Sequence, residues 1–122
     1  MKNLGLMVVM LLAAWSTAAR AEDPKAVGAK LWKSKCAQCH GTDGKGQTKK
    51  GKEMGISDIT SPDWQKEFTD QKIKDTLSSG LKRERNGKKQ EMDPLGKELE
   101  PAQFDALIAH IRSMQAPLAV KK

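Results

Sequence analysis

The chain has 122 residues, 22 Lys+Arg against 15 Asp+Glu, a formal net charge of +7, and only 38% hydrophobic and 4% aromatic residues. That length suits one small domain, and the scarcity of large apolar side chains leaves a thin core and excludes a polytopic membrane protein. With Cys36 and Cys39 as the only cysteines, a scaffold of several disulfides is also excluded, and a bound cofactor or metal becomes the expected supplement to the core.

Met1-Lys2-Asn3 is a short basic start, Leu4 to Ala14 runs apolar without a charge, and Ala19-Arg20-Ala21 places small residues in an A-x-A arrangement. Together these predict a secretory signal peptide over 1–21, cut after Ala21, with Thr17-Ala18-Ala19 as a second choice. The apolar stretch falls short of the roughly 20 residues that span a bilayer, which argues against a retained anchor. The expectation is export to the periplasm, with residues 22–122 as the single mature domain.

Past the leader, helical signals recur. Asp23-Pro24 reads as an N-cap followed by Pro at the first helical position, with Val27, Leu31 and Trp32 on one face. Ser61-Pro62 repeats that start before Trp64, and Thr69 caps a third segment carrying Ile73 and Leu77 and ending at Gly80. Pro101 opens the clearest helix, where Phe104, Leu107, Ile108 and Ile111 follow i, i+3, i+4, i+7 spacing, and Pro117 stops it. Two Gly- and Lys-rich segments, 41–55 and 78–96, read as loops. No stretch alternates with period two, and no Asn-Gly pair lies between apolar alternating runs. The expected fold is therefore all-α, a single domain of about four short helices, with both loops needing something to order them.

Cys36-Ala37-Gln38-Cys39-His40 is C-x-x-C-H, the signature of covalent c-type haem attachment. On a helical turn, residues three apart share a face, so both thiols can reach the vinyl groups along one porphyrin edge. His40 then falls beneath the ring, where its imidazole can bind the iron. Three other readings compete. A thioredoxin-like pair needs a β-α-β context that is missing here. A structural zinc site needs two further Cys or His ligands, and only His40 and His110 exist. A plain disulfide leaves His40 and the thin core unexplained.

A sulfur ligand on the opposite side would complete six-coordination and favour electron transfer. Met54, Met92 and Met114 are the candidates in the mature chain. Met114 ends the last helix, and Met54 lies close after His40. Met92 stands in Glu91-Met92-Asp93-Pro94-Leu95-Gly96, a segment that Pro94 pins and Gly96 turns, and is preferred.

With these residues in view, the chain resembles the class I cytochromes c, in particular the small bacterial periplasmic, c6-like or c551-like branch. The resemblance runs from about Gly28 to Met114. Gly28-Ala29-Lys30-Leu31-Trp32 is similar to the family's N-terminal helix, Gly44-Lys45-Gly46 to its turn after the motif, and Asp58 to Trp64 to its middle segment. Met92-Asp93-Pro94-Leu95-Gly96 resembles the axial M-P-x-F-G loop, and Leu107 to Ser113 resembles the closing helix, with His110 where Tyr or Trp is usual. The resemblance implies one covalent haem c per chain, with thioethers to Cys36 and Cys39, and iron held by His40 and by Met92. Many relatives pair the proximal imidazole with a Pro carbonyl. No Pro occurs here between His40 and Pro62.

Lys33, Lys35, Lys45, Lys49, Lys50 and Lys52 flank the motif, while Lys82, Arg83, Arg85, Lys88 and Lys89 precede Met92. Bordering an exposed haem edge, they would steer docking to an acidic redox partner protein. Nucleic acid is disfavoured because no aromatic residues interleave with the basic ones. The expected function is a soluble, monomeric single-electron carrier, not an enzyme. The alternative is a haem subunit, or a gated haem enzyme or sensor whose Met92 dissociates. On this reading the purified protein is coloured and keeps its haem through acid–acetone extraction, and His40→Ala loses stable iron ligation. A colourless or fully extractable product would contradict it.

Overall fold

The computed structural model describes Arg20 and residues 22–117. The expected leader over 1–21, Arg20 apart, lies outside the described residues. The Asp23 carboxylate accepts from the Lys25 backbone N–H at 3.1 Å, and with Pro24 it starts α1, Pro24–Leu31. The rod continues through one π-helical turn, Trp32–Cys36, in which the Ala37 N–H reaches back to the Trp32 carbonyl. It ends in α2, Ala37–His40, closed by Gly41. Thr48 caps α3, Lys49–Met54, and Gly55 ends it in the left-handed region at φ 62°. Ser61 and Thr69 accept from the N–H groups of Trp64 and Lys72, opening α4, Pro62–Glu67, and α5, Asp70–Ser79. A capping box of Glu100 and Gln103 starts α6, Pro101–Ser113.

Between α5 and α6 the fold departs from the all-α expectation. Strands β1, Leu81–Arg85, and β2, Lys88–Met92, pair antiparallel with Leu81 opposite Met92 and Arg83 opposite Gln90. Asn86 and Gly87, at φ 52° and 73°, form the turn that joins them, because two consecutive positive-φ residues match the twist of a tight hairpin. The segment expected to be a loop is thus partly a hairpin, and the 41–55 segment contains α3. Among the described residues no helix is long and apolar enough to cross a membrane.

The core sits where α1 crosses α6. Trp32, Phe104, Leu107, Ile108 and Ile111 form its centre, and Ile59, Ile73, Leu77 and Leu99 pack onto it. A Cβ at Gly28 would lie 2.3 Å from the Ala106 carbonyl oxygen, so glycine is what permits the crossing. In an open helix Gly→Ala gains up to about 1 kcal/mol in helix propensity. Here Gly28→Ala should instead destabilise by about 2–3 kcal/mol, since overpacking against a backbone carbonyl forces the helices apart. Denaturant unfolding reads the sign directly.

Candidate functional site

Cys36 closes the π-helical turn and is buried, while Cys39 and His40 are half-buried on α2. Neither cysteine is paired in a disulfide. Burial pushes the Cys36 thiol up to about 11, with the Lys35 charge acting against it. Burial alone holds His40 below its ordinary value, leaving a neutral imidazole whose lone pair is available to a metal.

The Nδ1 atom of His40 is buried and has no hydrogen-bond partner. Its ring instead lies 5.7 Å, centroid to centroid, from that of Trp32, whose Nε1 donates to the Gly41 carbonyl at 3.0 Å. The imidazole is therefore oriented by packing against a fixed indole, not by the carbonyl acceptor usual for ligating histidines. Among the described residues, no three His, Cys, Asp or Glu side chains gather as a bare metal ion would require. Two thiols and an unpartnered neutral imidazole on one helical turn do fit an iron porphyrin, which supplies its own four nitrogen ligands.

The loop after the motif closes tightly onto it. Thr48 Oγ1 donates to the Cys39 carbonyl at 2.6 Å and accepts from the Gly51 N–H at 2.9 Å. The Gly46 N–H bonds the His40 carbonyl at 2.8 Å. A Cβ at Gly51 would lie 2.3 Å from the Gly46 oxygen and 2.7 Å from that of Cys39, so α3 packs backbone to backbone on the end of α2.

The three methionines separate clearly. Met92 ends β2, half-buried against the core. The segment after it is fastened to α5, where the Leu95 N–H bonds the Leu77 carbonyl at 2.8 Å and the Gly96 N–H bonds Ser78 at 3.1 Å. Met54 is half-buried on the last turn of α3. Met114 packs over Gly44, where its Cε would meet an added Cβ at 2.9 Å. Trp32 and Phe104 are core residues, Trp64 stacks on Phe68 at 4.8 Å, and His110 packs beside Gly28 with its ring 5.8 Å from Trp32.

Two residues that fasten α3 to its neighbours escaped the sequence reading: Thr48 bonds the Cys39 carbonyl, and the buried Gln90 amide donates to the Met54 and Gly55 carbonyls. Thr48 is one, signalled only by its N-cap position ahead of Gly55. Gln90 is the other, and nothing in the sequence marks it, because a glutamine amid charged residues looks like exposed surface.

The basic groups expected around the site are partly gathered. Lys88 Nζ donates to the Lys52 carbonyl at 2.8 Å, which brings the hairpin's cations beside those of α3. Lys35 stands apart in an ion pair with Glu98 at 2.8 Å. The other ion pairs among the described residues join Lys30 to Glu22 and Arg112 to Asp70. In the hairpin Lys82 and Lys89 stand opposite Glu91 and Glu84, and Arg83 and Arg85 line a hollow shared with Asp58, Asp63 and Glu67, so the lysines of α3 and Lys88 are the cations left without a facing carboxylate.

The cytochrome c family model matches residues 26–115, a span that takes in the motif, α3, the hairpin and α6. The chain belongs to the cytochrome c family. It is a class I c-type cytochrome, and its cofactor is covalently bound haem c. The KustC0563 c-type cytochrome has a similar structure, with a TM-score of 0.60 and 27% identity over 73% of this chain and 98% of that one. Two subunits of cbb3-type cytochrome c oxidases are also similar. CcoP of Rubrivivax gelatinosus is 39% identical over 51% of this chain, and FixP of Sinorhizobium medicae (strain WSM419) is 32% identical over 74% of it. The matched regions span only 19% and 30% of those subunits. Haem-based electron transfer is the activity that these relationships support.

In this cytochrome Thr48→Val should cost about 2 kcal/mol of stability, because it removes a helix cap and leaves the Cys39 carbonyl without its donor. Thr48→Ser, which keeps both bonds, should recover most of the loss in the same unfolding measurement.

Proposed function

We propose that the mature chain is an exported, monomeric carrier of single electrons, working in the periplasm and catalysing no reaction of its own. In this reading Cys36 and Cys39 hold the haem by thioether bonds, while His40 and Met92 ligate its iron from opposite sides. The observation that carries it is the neutral imidazole of His40, packed on Trp32 with its Nδ1 buried and unpartnered, in the same helical turn as the two cysteines. Bound there, haem supplies one-electron exchange between ferrous and ferric iron. Trp32 holds the His40 ring, the Thr48 bridge holds the α2 end, and the α5 contacts hold the segment after Met92, whose sulfur would be offered to the bound iron. A protein that keeps both axial ligands exchanges electrons with little rearrangement.

The similarity to cbb3 oxidase subunits favours one refinement: this domain passes electrons to a terminal oxidase or a related acceptor. The lysines of α3, Lys49, Lys50 and Lys52, with Lys88 beside them, would form the docking face for an acidic partner. Such docking is transient and screened by salt.

In the test, Met92→Ala should leave the haem covalently attached while abolishing the absorption band of methionine sulfur on ferric iron. Met54→Ala should leave that band intact. Electron exchange with the anionic oxidant ferricyanide should slow as ionic strength rises, and a flat salt response would remove the docking assignment.

A further inference from the structure

We propose that Gln90 is the positioning residue for the distal ligand, and that its buried amide sets where Met92 stands relative to the motif. The proposal rests on the reading of Met92 as that ligand. Residues two apart on a strand share a face, so Gln90 and Met92 point to the same side of β2. Gln90 is the one buried residue of the hairpin, at 6% exposure. A buried amide is costly unless its hydrogen bonds are made, and this one is well supplied. Its Nε2 donates to the carbonyls of Met54 and Gly55, each at 3.0 Å, and its Oε1 accepts from Arg83 Nε at 2.8 Å across the strand pair.

Those two carbonyls belong to the end of α3, where helical carbonyls lack partners of their own. The start of the same helix is bound to the motif through Thr48 and the Cys39 carbonyl. A continuous protein path thus runs from α2 through Thr48, α3 and the Gln90 amide to Met92. It ties the proximal side to the distal side without passing through the haem. Without Gln90, the hairpin keeps only the Lys88–Lys52 bond and a 3.4 Å contact of Arg85 with Ser57 on this flank. A two-stranded hairpin so weakly held is only marginally ordered.

The test uses the haem-loaded protein with two readouts: the rate of carbon monoxide binding to the ferrous form, and the alkaline pH midpoint at which the methionine–ferric band disappears. Gln90→Leu should keep the covalent haem, raise the carbon monoxide rate about tenfold or more, and lower that midpoint. Gln90→Glu keeps the length and the acceptor for Arg83 but has no N–H donors, and should move both readouts the same way if the leucine variant folds poorly. Gln65→Leu is the structural control. Gln65 is equally buried, at 6% exposure, but its Nε2 donates to the Ile59 and Ile111 carbonyls, far along the chain from the hairpin. It should lower the unfolding midpoint and leave the carbon monoxide rate unchanged. Wild-type behaviour in both Gln90 variants overturns the proposal, as does an equal acceleration in Gln65→Leu. A band that survives Met92→Ala overturns the ligand assignment and the proposal together, whereas a band that needs Met92 but ignores Gln90 overturns the proposal alone.

Discussion

Where α1 crosses α6, the Gly28 backbone comes so near the Ala106 carbonyl that no side-chain carbon fits between them. That closeness decides the rest of the proximal side. One turn beyond the crossing, Trp32 is pressed against α6 beside His110, and its other neighbour is the ring of His40. The orientation of the motif is therefore inherited from the packing of two helices whose main contact lies outside it. The π-helical turn at Trp32–Cys36 contributes as well, because its wider winding rotates Cys36 relative to the α1 face.

A chain with so few aromatic residues cannot fill its interior with apolar volume alone, and two buried glutamines take over part of that duty. Gln65 joins the Ile59 and Ile111 carbonyls and accepts from Arg112, while Gln90 joins the end of α3 to the hairpin and accepts from Arg83. Each pairs a buried amide with an arginine reaching in from outside. Satisfied polar staples of this kind specify one arrangement sharply, since every alternative leaves carbonyls unpaired.

What could be read from the sequence follows the same physics. The final helix was legible because Phe104, Leu107, Ile108 and Ile111 repeat at helical spacing, and all four are buried. Asp23, Ser61 and Thr69 were legible as caps, since capping is a local interaction between near neighbours. The α3 helix was not, because Lys-Lys-Gly-Lys-Glu-Met has no apolar stripe and is held by Thr48, Gly55 and the packing of Gly51. The hairpin escaped for a related reason. The face that carries Gln90 and Met92 otherwise holds Leu81, Arg83, Arg85 and Lys88, not a hydrophobic row, so only the Asn86-Gly87 pair marks the hairpin. For the site, the motif residues were legible by their spacing, whereas the bonds that fix its loop and Met92 connect distant segments and leave no local trace.

The hairpin tip carries a constraint of parity. Gly87 has open space around it, so the ladder is free to grow or shrink at that end. Because side chains alternate across a strand, any change in the register between Asn86 and Gln90 by an even count keeps the amide and the thioether facing inward, while an odd count turns both to solvent. A slip of two residues would preserve that facing but carry Lys88 and Arg85 away from Lys52 and Ser57, so the flank of the hairpin selects one register among those the parity allows.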